Sequence, residues 1–273
     1  MQELTLKELQ KVSLSILLDV HQFCKSRDIK YSIAYGTLIG SLRHKGFIPW
    51  DDDVDIMMPR PDYERFLKEY QSDDYCLIYY GNDRTALAGF ARVVDCKTTH
   101  YQTERPWTIQ ESGVWIDIFP IDGVESHAND YERRYNRLRR MCNFVYKFRR
   151  ENHHIRKDDS WWSVIKTYIA KIISLNGIIP AFLTRRMVSG QQSVDYNNAK
   201  YLGQCSCLDD GPIQFDRNDF SDYVLLDFEG HKLLSIAGYD HHLRQLYGDY
   251  MQLPPEEKRK PKQYWIKFYW KNR

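Results

Sequence analysis

The chain has 273 residues, 42% hydrophobic and 28% charged, with a formal net charge of +2. That composition excludes a disordered chain and supports a sizeable core, in one large domain or two modest ones. The near-neutral balance gives no overall field for nucleic acid or an anionic membrane. No uncharged window reaches the roughly 18–20 apolar residues of a bilayer span, because Lys166 and Lys171 interrupt the best one.

The N-terminal residues include Gln2, Glu3 and Lys7 rather than a basic region and an apolar run, so no secretory signal is expected. Thr5 with Glu8 forms a capping box, and Leu6, Leu9, Val12, Ile16, Val20 and Phe23 follow at helical spacing, which predicts a helix to about Arg27. A strand is expected over Ile29 to Ala34, then a helical turn over Leu38 to His44 after Gly36-Thr37. A second strand is predicted from Trp50 to Met58, ended by Pro59 and Pro61 before a short helix with Tyr63, Phe66, Leu67 and Tyr70. Strands over Cys76 to Tyr80, Gly89 to Asp95 and Val114 to Phe119 complete an α/β core.

Beyond about residue 128 the pattern turns helical without a Gly/Ser-rich linker, so the expected division is a core over 1–128 and a helical C-terminal half, 129–273, packed on it. A basic amphipathic helix is predicted between Tyr131 and Lys157, with Arg133, Arg134, Arg137, Arg139 and Arg140. A second helix, capped by Ser160 and ended by Gly177 and Pro180, carries Trp161, Trp162, Ile165, Ile169 and Ile172. Packing on the sheet is the plain reading; contact with the inner membrane leaflet is the sharper one. No nucleic-acid motif accompanies the basic helix. The six cysteines (Cys24, Cys76, Cys96, Cys142, Cys205, Cys207) lack a CxxC pair and fit reduced thiols in a cytoplasm, although Cys205 and Cys207 with His231 form a weak metal pattern.

Chemistry concentrates where Asp51-Asp52-Asp53-Val54-Asp55 follows Tyr35-Gly36-Thr37-Leu38-Ile39-Gly40-Ser41. On a strand Asp53 and Asp55 share one face while Val54 and Ile56 take the other, and two like charges on one face call for a cation. Asp117, set between Ile116 and Ile118, is a third carboxylate that is costly to bury unless a cation or donors satisfy it. Asp53, Asp55 and Asp117 are therefore the candidate catalytic and metal-binding residues, for Mg²⁺ or alternatively Mn²⁺. A solvated acidic turn is the competing account. An EF-hand is not, since Ile56 stands where Gly is needed and Asp62 where Glu is. Gly36 and Thr37 are candidates for cradling an anion at the start of a helical turn, with Ser41, Arg43 and Asp52 also assigned to substrate. Neither a Walker A loop nor a GxGxxG is present.

The run from Tyr35 through Arg43-His44-Lys45-Gly46-Phe47-Ile48-Pro49-Trp50 to Asp55 resembles the signature of LicD-type phosphotransferases, the bacterial relatives of fukutin. Ile116-Asp117-Ile118-Phe119-Pro120 resembles the family's later carboxylate strand, and Tyr247-Gly248-Asp249-Tyr250-Met251 with Pro254 to Arg259 its C-terminal ending. The resemblance implies an α/β (α+β) nucleotidyltransferase-type core and transfer of phosphocholine from CDP-choline to a sugar hydroxyl. The acceptor it implies is a lipid-linked glycan or teichoic acid precursor. The metal carboxylates it implies fall on Asp53, Asp55 and Asp117; Asp117 is in addition the candidate for ligand and base together, two roles that the sequence does not separate. Gly36-Thr37 stands where the fold carries Gly-Gly or Gly-Ser. Trp50, Tyr101, Trp107 and Trp115 are aromatics near enough in sequence to serve a quaternary ammonium. Alternatives are another CDP-linked donor (ethanolamine or ribitol), a nucleotidyltransferase acting on an NTP, and a non-catalytic glycan-binding scaffold.

Overall fold

The computed structural model describes residues 2–83, 86–103, 113–146, 160–176, 178–206, 211–261 and 266–271. The first helix, α1 (Leu6–Arg27), starts at the predicted capping box, with the Thr5 hydroxyl and Glu8 carboxylate each accepting the other's backbone N–H. It ends where Asp28 turns left-handed. β1 (Ser32–Ile33) is shorter than the predicted strand because α2 (Tyr35–His44) begins immediately after Ala34, three residues before the expected turn. β2 (Asp55–Pro59) runs directly into α3 (Arg60–Glu69), whose first turn contains Pro61, where the missing N–H has no partner to lose. β3 (Cys76–Ile78), β4 (Ala91–Val94), β5 (Thr99–Thr103) and the long β6 (Trp115–Val124) follow.

Strands β1-β2-β6-β4-β3 lie side by side in that order, β2 and β6 parallel and the other pairs antiparallel. Alternation sends the strand residues to two cores. Val54, Ile56, Ile116 and Ile118 pack with Ile16, Leu17 and Val20 of α1 and Phe66 of α3. Met57, Phe119 and Ile121 pack on the other face with Tyr35 and Phe90. Each such fully buried aliphatic or aromatic side chain contributes about 1.5–3 kcal/mol relative to exposure.

Beyond residue 128 come α4 (Ala128–Tyr146) and α5 (Trp161–Asn176), the two predicted helices, the first with its expected continuation to Lys157 outside the described residues. An additional helix, α6 (Ile178–Gln191), has Pro180 in its first turn rather than beyond a helix end. The rest of that half is not helical throughout. β7 (Tyr201–Gly203) pairs with the end of β6 and with β8 (Phe215–Asp216), and β9 (Tyr223–Phe228) and β10 (His231–Ile236) form a hairpin. Glu229 and Gly230 both take positive φ, 49° and 79°, as a two-residue hairpin turn requires. After α7 (Tyr239–Tyr247), β11 (Ile266–Trp270) pairs with β5. The C-terminal half thus completes sheets as well as covering them.

Cys205 is buried against Tyr131 and Met187, and burial pushes its thiol up to about 12. Cys207 lies outside the described residues. Among the described residues no cluster of three or more metal-ligating side chains includes Cys205 or His231.

His242 of α7 is enclosed by Phe215 and Phe220, at ring-centroid distances of 4.2 and 5.7 Å, and neither ring nitrogen has a hydrogen-bond partner. Burial, with a smaller push from His241, lowers its pKa from 6.5 to about 4. The unfolded chain therefore takes up a proton that the folded one refuses. Stability is full above the unfolded value and is lost as pH falls through the folded one, by about 3 kcal/mol in total. His242→Leu is expected to flatten this part of the acid limb in urea midpoints measured between pH 4 and 7. An acid limb identical to that of the unsubstituted protein would show that His242 does not set it.

Candidate active site

Pairing in register places Asp55 directly beside Asp117 on adjacent parallel strands. Neighbouring strands lie about 4.8 Å apart and paired residues project to the same side. The backbone ladder continues one residue past the named strand, with Asp117 N–H donating to the Val54 carbonyl at 3.0 Å. Val54 is buried in the α1 core; Asp55 shares the face of Asp117, whereas Asp53 is gathered with Asp51 and Asp52. Among the described residues no group of three ligating side chains within 4.8 Å includes Asp55 or Asp117.

The predicted strand from Trp50 is interrupted because Pro49 makes a turn: Asp51 N–H donates to the Ile48 carbonyl at 2.9 Å. Gln10 of α1 fixes this turn from outside by donating to the Asp51 carbonyl, also at 2.9 Å. The turn gathers Asp51, Asp52 and Asp53, each offering an oxygen within 4.8 Å of the others. Asp51 is the most deeply placed, 7% exposed.

Gly36 has a different neighbour from the one its sequence context suggests. A Cβ there would stand 2.5 Å from Oδ2 of Asp51, so glycine is required to admit the protein's own carboxylate beside the first turn of α2. A negative group is favourable at a helix N-terminus. Tyr35, which opens α2, is left-handed at φ 47°, a conformation costing about 1–2 kcal/mol for a non-glycine residue. Its ring rests edge-on against Phe119 at 5.7 Å, which holds this sharp entry in place. Thr37 accepts the backbone N–H of Asp55 at 3.0 Å, so its hydroxyl ties the helix start to the carboxylate strand.

Ser41 and Arg43, assigned to substrate on sequence grounds, make contacts within the protein. Ser41 is buried and donates to the Asp227 carbonyl at 2.8 Å. Arg43 donates from Nη1 to the carbonyls of Tyr250 and Gln252, at 2.9 and 3.2 Å, clamping the C-terminal segment to α2. Burial, and secondarily Arg259, lower the Arg43 pKa, and Asp51 opposes that shift. Arg259 itself lies over the Trp50 ring at 5.9 Å, and Arg92 over Trp115 at 4.5 Å. These two indoles are therefore engaged by guanidinium groups. Tyr101 sits on β5, and Trp107 lies outside the described residues.

Arg92 is the residue the sequence pattern does not single out. It lies opposite Asp117 in the β4–β6 register and its Nε reaches Asp117 Oδ1 at 2.7 Å. A carboxylate has about four lone-pair sites, so this ion pair orients Asp117 without exhausting it.

The family described as LicD/FKTN/FKRP, nucleotidyltransferase domain, matches residues 28–148, which include the acidic turn, β2, β4 and β6. The chain is 33% identical over 275 residues to the lipopolysaccharide cholinephosphotransferase LicD of Haemophilus influenzae, covering 96% of this chain and 97% of that one. A shorter match, 36% over 67 residues, joins it to an uncharacterized protein of Rickettsia prowazekii, covering 23% of this chain and 25% of that one. With β2 and β6 carrying their paired aspartates inside the matched region, and the likeness to the Haemophilus protein running the length of both chains, this chain belongs to the LicD family.

Proposed function

We propose that this protein transfers phosphocholine from CDP-choline to a sugar hydroxyl of a cell-surface glycan precursor, lipopolysaccharide or teichoic acid, and releases CMP. The observation that carries the reading is the register of Asp55 with Asp117 next to the Asp51–Asp53 turn, in a chain similar throughout to a lipopolysaccharide cholinephosphotransferase. The donor set is all carboxylate oxygen, which suits Mg²⁺ or Mn²⁺ and disfavours the softer metals that take His and Cys. Asp53, Asp55 and Asp117 would hold the ion. When bound, it offsets phosphoryl charge and polarises the bond to the leaving group.

The chain's own residues supply position. Thr37 and the Val54–Asp117 backbone bond fix where the two strand carboxylates start, and Arg92 fixes the direction of Asp117. The acceptor oxygen attacks the choline-bearing phosphorus, the bridging P–O bond to CMP breaks, and the hydroxyl proton passes to Asp117. Arg92→Met is expected to weaken divalent-cation affinity by roughly 10–100-fold, as loss of a group that orients a ligand does. The pair is partly exposed, so the melting temperature should hardly change. A metal titration of turnover that superimposes on the unsubstituted curve would leave Arg92 without this role.

The test of the whole reading is ³¹P NMR of the protein with Mg²⁺, a lipid-linked glycan extract and, in turn, CDP-choline, CDP-ethanolamine and CDP-ribitol. CMP and a phosphocholine diester should appear with the first donor. Turnover with another donor alone would reassign the alcohol and keep the chemistry. Because the matched family is described as a nucleotidyltransferase domain, an NTP arm is included. Pyrophosphate release there, without CMP in the others, would establish nucleotidyl transfer instead.

A further inference from the structure

An apolar stripe at helical spacing ordinarily faces a core, yet on α5 it faces solvent. Trp161 is 62% exposed, Ile169 53% and Ile172 66%. Across the junction α6 continues the surface with Ile178 (57%) and Phe182 (59%), while its opposite side, Thr184, Met187 and Val188, is buried toward α4. Scattered exposed apolar residues are normal, but large ones concentrated on two consecutive packed helices mark an interaction surface. No helix among the described residues is long and apolar enough to cross a membrane.

Charge decides the occupant. From residue 160 to 194 there is no Asp or Glu, while Lys166, Lys171, Arg185 and Arg186 are present, giving 4 − 0 = +4 on that segment of a chain whose total is +2. On α4, which α6 packs against, Arg133, Arg137 and Arg140 recur at i, i+4 and i+7, beside the half-exposed Phe144. Arg134, by contrast, is turned inward to Glu125 and the backbone of Gly123 and Gln191. Two copies of the chain meeting through α5 and α6 would bring like charges together. An anionic lipid surface matches both the apolar and the basic component: side chains enter the acyl boundary and the cations meet phosphate headgroups.

We propose that α5 and α6 form a peripheral docking surface for an anionic bilayer leaflet, with the arginine stripe of the adjoining α4 adding positive charge nearby. Such a surface would hold the enzyme where a lipid-linked acceptor resides. It stands without reference to donor or metal, and it is tested without either. The full chain is floated with phosphatidylcholine vesicles, with and without phosphatidylglycerol. Binding to the anionic vesicles should exceed binding to the neutral ones and weaken with salt. The triple substitution Trp161→Ser, Ile169→Ser, Ile172→Ser should lower the partition coefficient on the order of tenfold or more at an unchanged melting temperature, because its sites are exposed. Replacement of Arg133, Arg137 and Arg140 by Gln should reduce the preference for phosphatidylglycerol, leaving the part carried by Lys166, Lys171, Arg185 and Arg186. A protein that stays in the soluble fraction with anionic lipid, or a serine variant that floats as well as the parent, overturns the proposal. So does sedimentation equilibrium showing a dimer that the serine variant loses without any lipid binding.

Discussion

Asp55→Asn and Asp117→Asn are each expected to lower turnover with CDP-choline at saturating Mg²⁺ by at least about 10³-fold, near 4 kcal/mol of transition-state stabilisation. The substitution removes a charge and leaves shape and backbone in place. Asp55 is held through its main-chain N–H to Thr37, and Asp117 through its N–H to Val54, contacts that an asparagine keeps. Loss of activity would therefore report on the carboxylate and not on a displaced strand. Stability should change little, since Asp55→Asn removes a charge that follows the acidic turn and Asp117→Asn gives up only the partly exposed pair with Arg92. The pair of readouts is diagnostic: an active site group gives steeply falling turnover with a melting temperature little changed in metal-free buffer. A structural aspartate would give parallel losses, and retained turnover would remove the residue from the chemistry.

The largest effect on stability is expected at the other end of the β2–β6 pair, at Arg60 and Asp122. Arg60, at the start of α3, reaches Asp122 of β6 with both Nε (2.6 Å) and Nη2 (2.9 Å). Their side chains are 8% and 1% exposed, and the neighbouring Asp122 carboxylate holds the Arg60 guanidinium charged above its ordinary range despite burial. Asp122→Ala would strand that cation, leaving it the partly exposed Glu64 at 3.2 Å and the face of the Tyr63 ring at 5.1 Å. Removing one partner of such a pair costs about 3–5 kcal/mol, a large part of the roughly 5–15 kcal/mol that a domain possesses. Replacing both, Arg60→Met with Asp122→Leu, should recover most of the loss, because a fitted apolar pair needs no desolvation compensation. Urea midpoints of the two single variants and the double variant measure this directly. Equal destabilisation in the double variant would mean that the ion pair positions α3 in a way apolar packing cannot replace.

Local chemistry was legible from the chain. The Thr5–Glu8 capping box fixed the start of α1, and the alternation through Asp53-Val54-Asp55 already separated a carboxylate face from a core face. Asp117 announced itself as a charge inside an apolar strand, and the register then placed it beside Asp55. Long-range pairing was not legible. Arg92 meets Asp117 only because β4 runs antiparallel to β6, and nothing adjacent to Arg92 in sequence signals it. Gly36 reads as a place for a ligand anion, whereas the residue brought to it is Asp51, through a turn at Pro49. Ser41 and Arg43 lie inside the recognisable motif but spend their hydrogen bonds on β9 and the C-terminal segment, partners about two hundred positions away. The β9–β10 hairpin carried a two-residue Glu-Gly turn between apolar runs, a signal obscured by the helical pattern preceding it. On α5 the periodicity was correct and its direction was not available, since spacing defines a stripe without saying what the stripe faces.

The proposed chemistry requires one cation held by carboxylates from β2, β6 and the turn before β2. Titration of the metal-free protein with Mn²⁺, followed by electron paramagnetic resonance of the free ion, measures this without any assumption about donor or acceptor. Saturable binding that Mg²⁺ displaces, and that is lost in both Asp55→Asn and Asp117→Asn, is the predicted result. Binding of equal strength in the parent and both variants, or none in the parent, would contradict it.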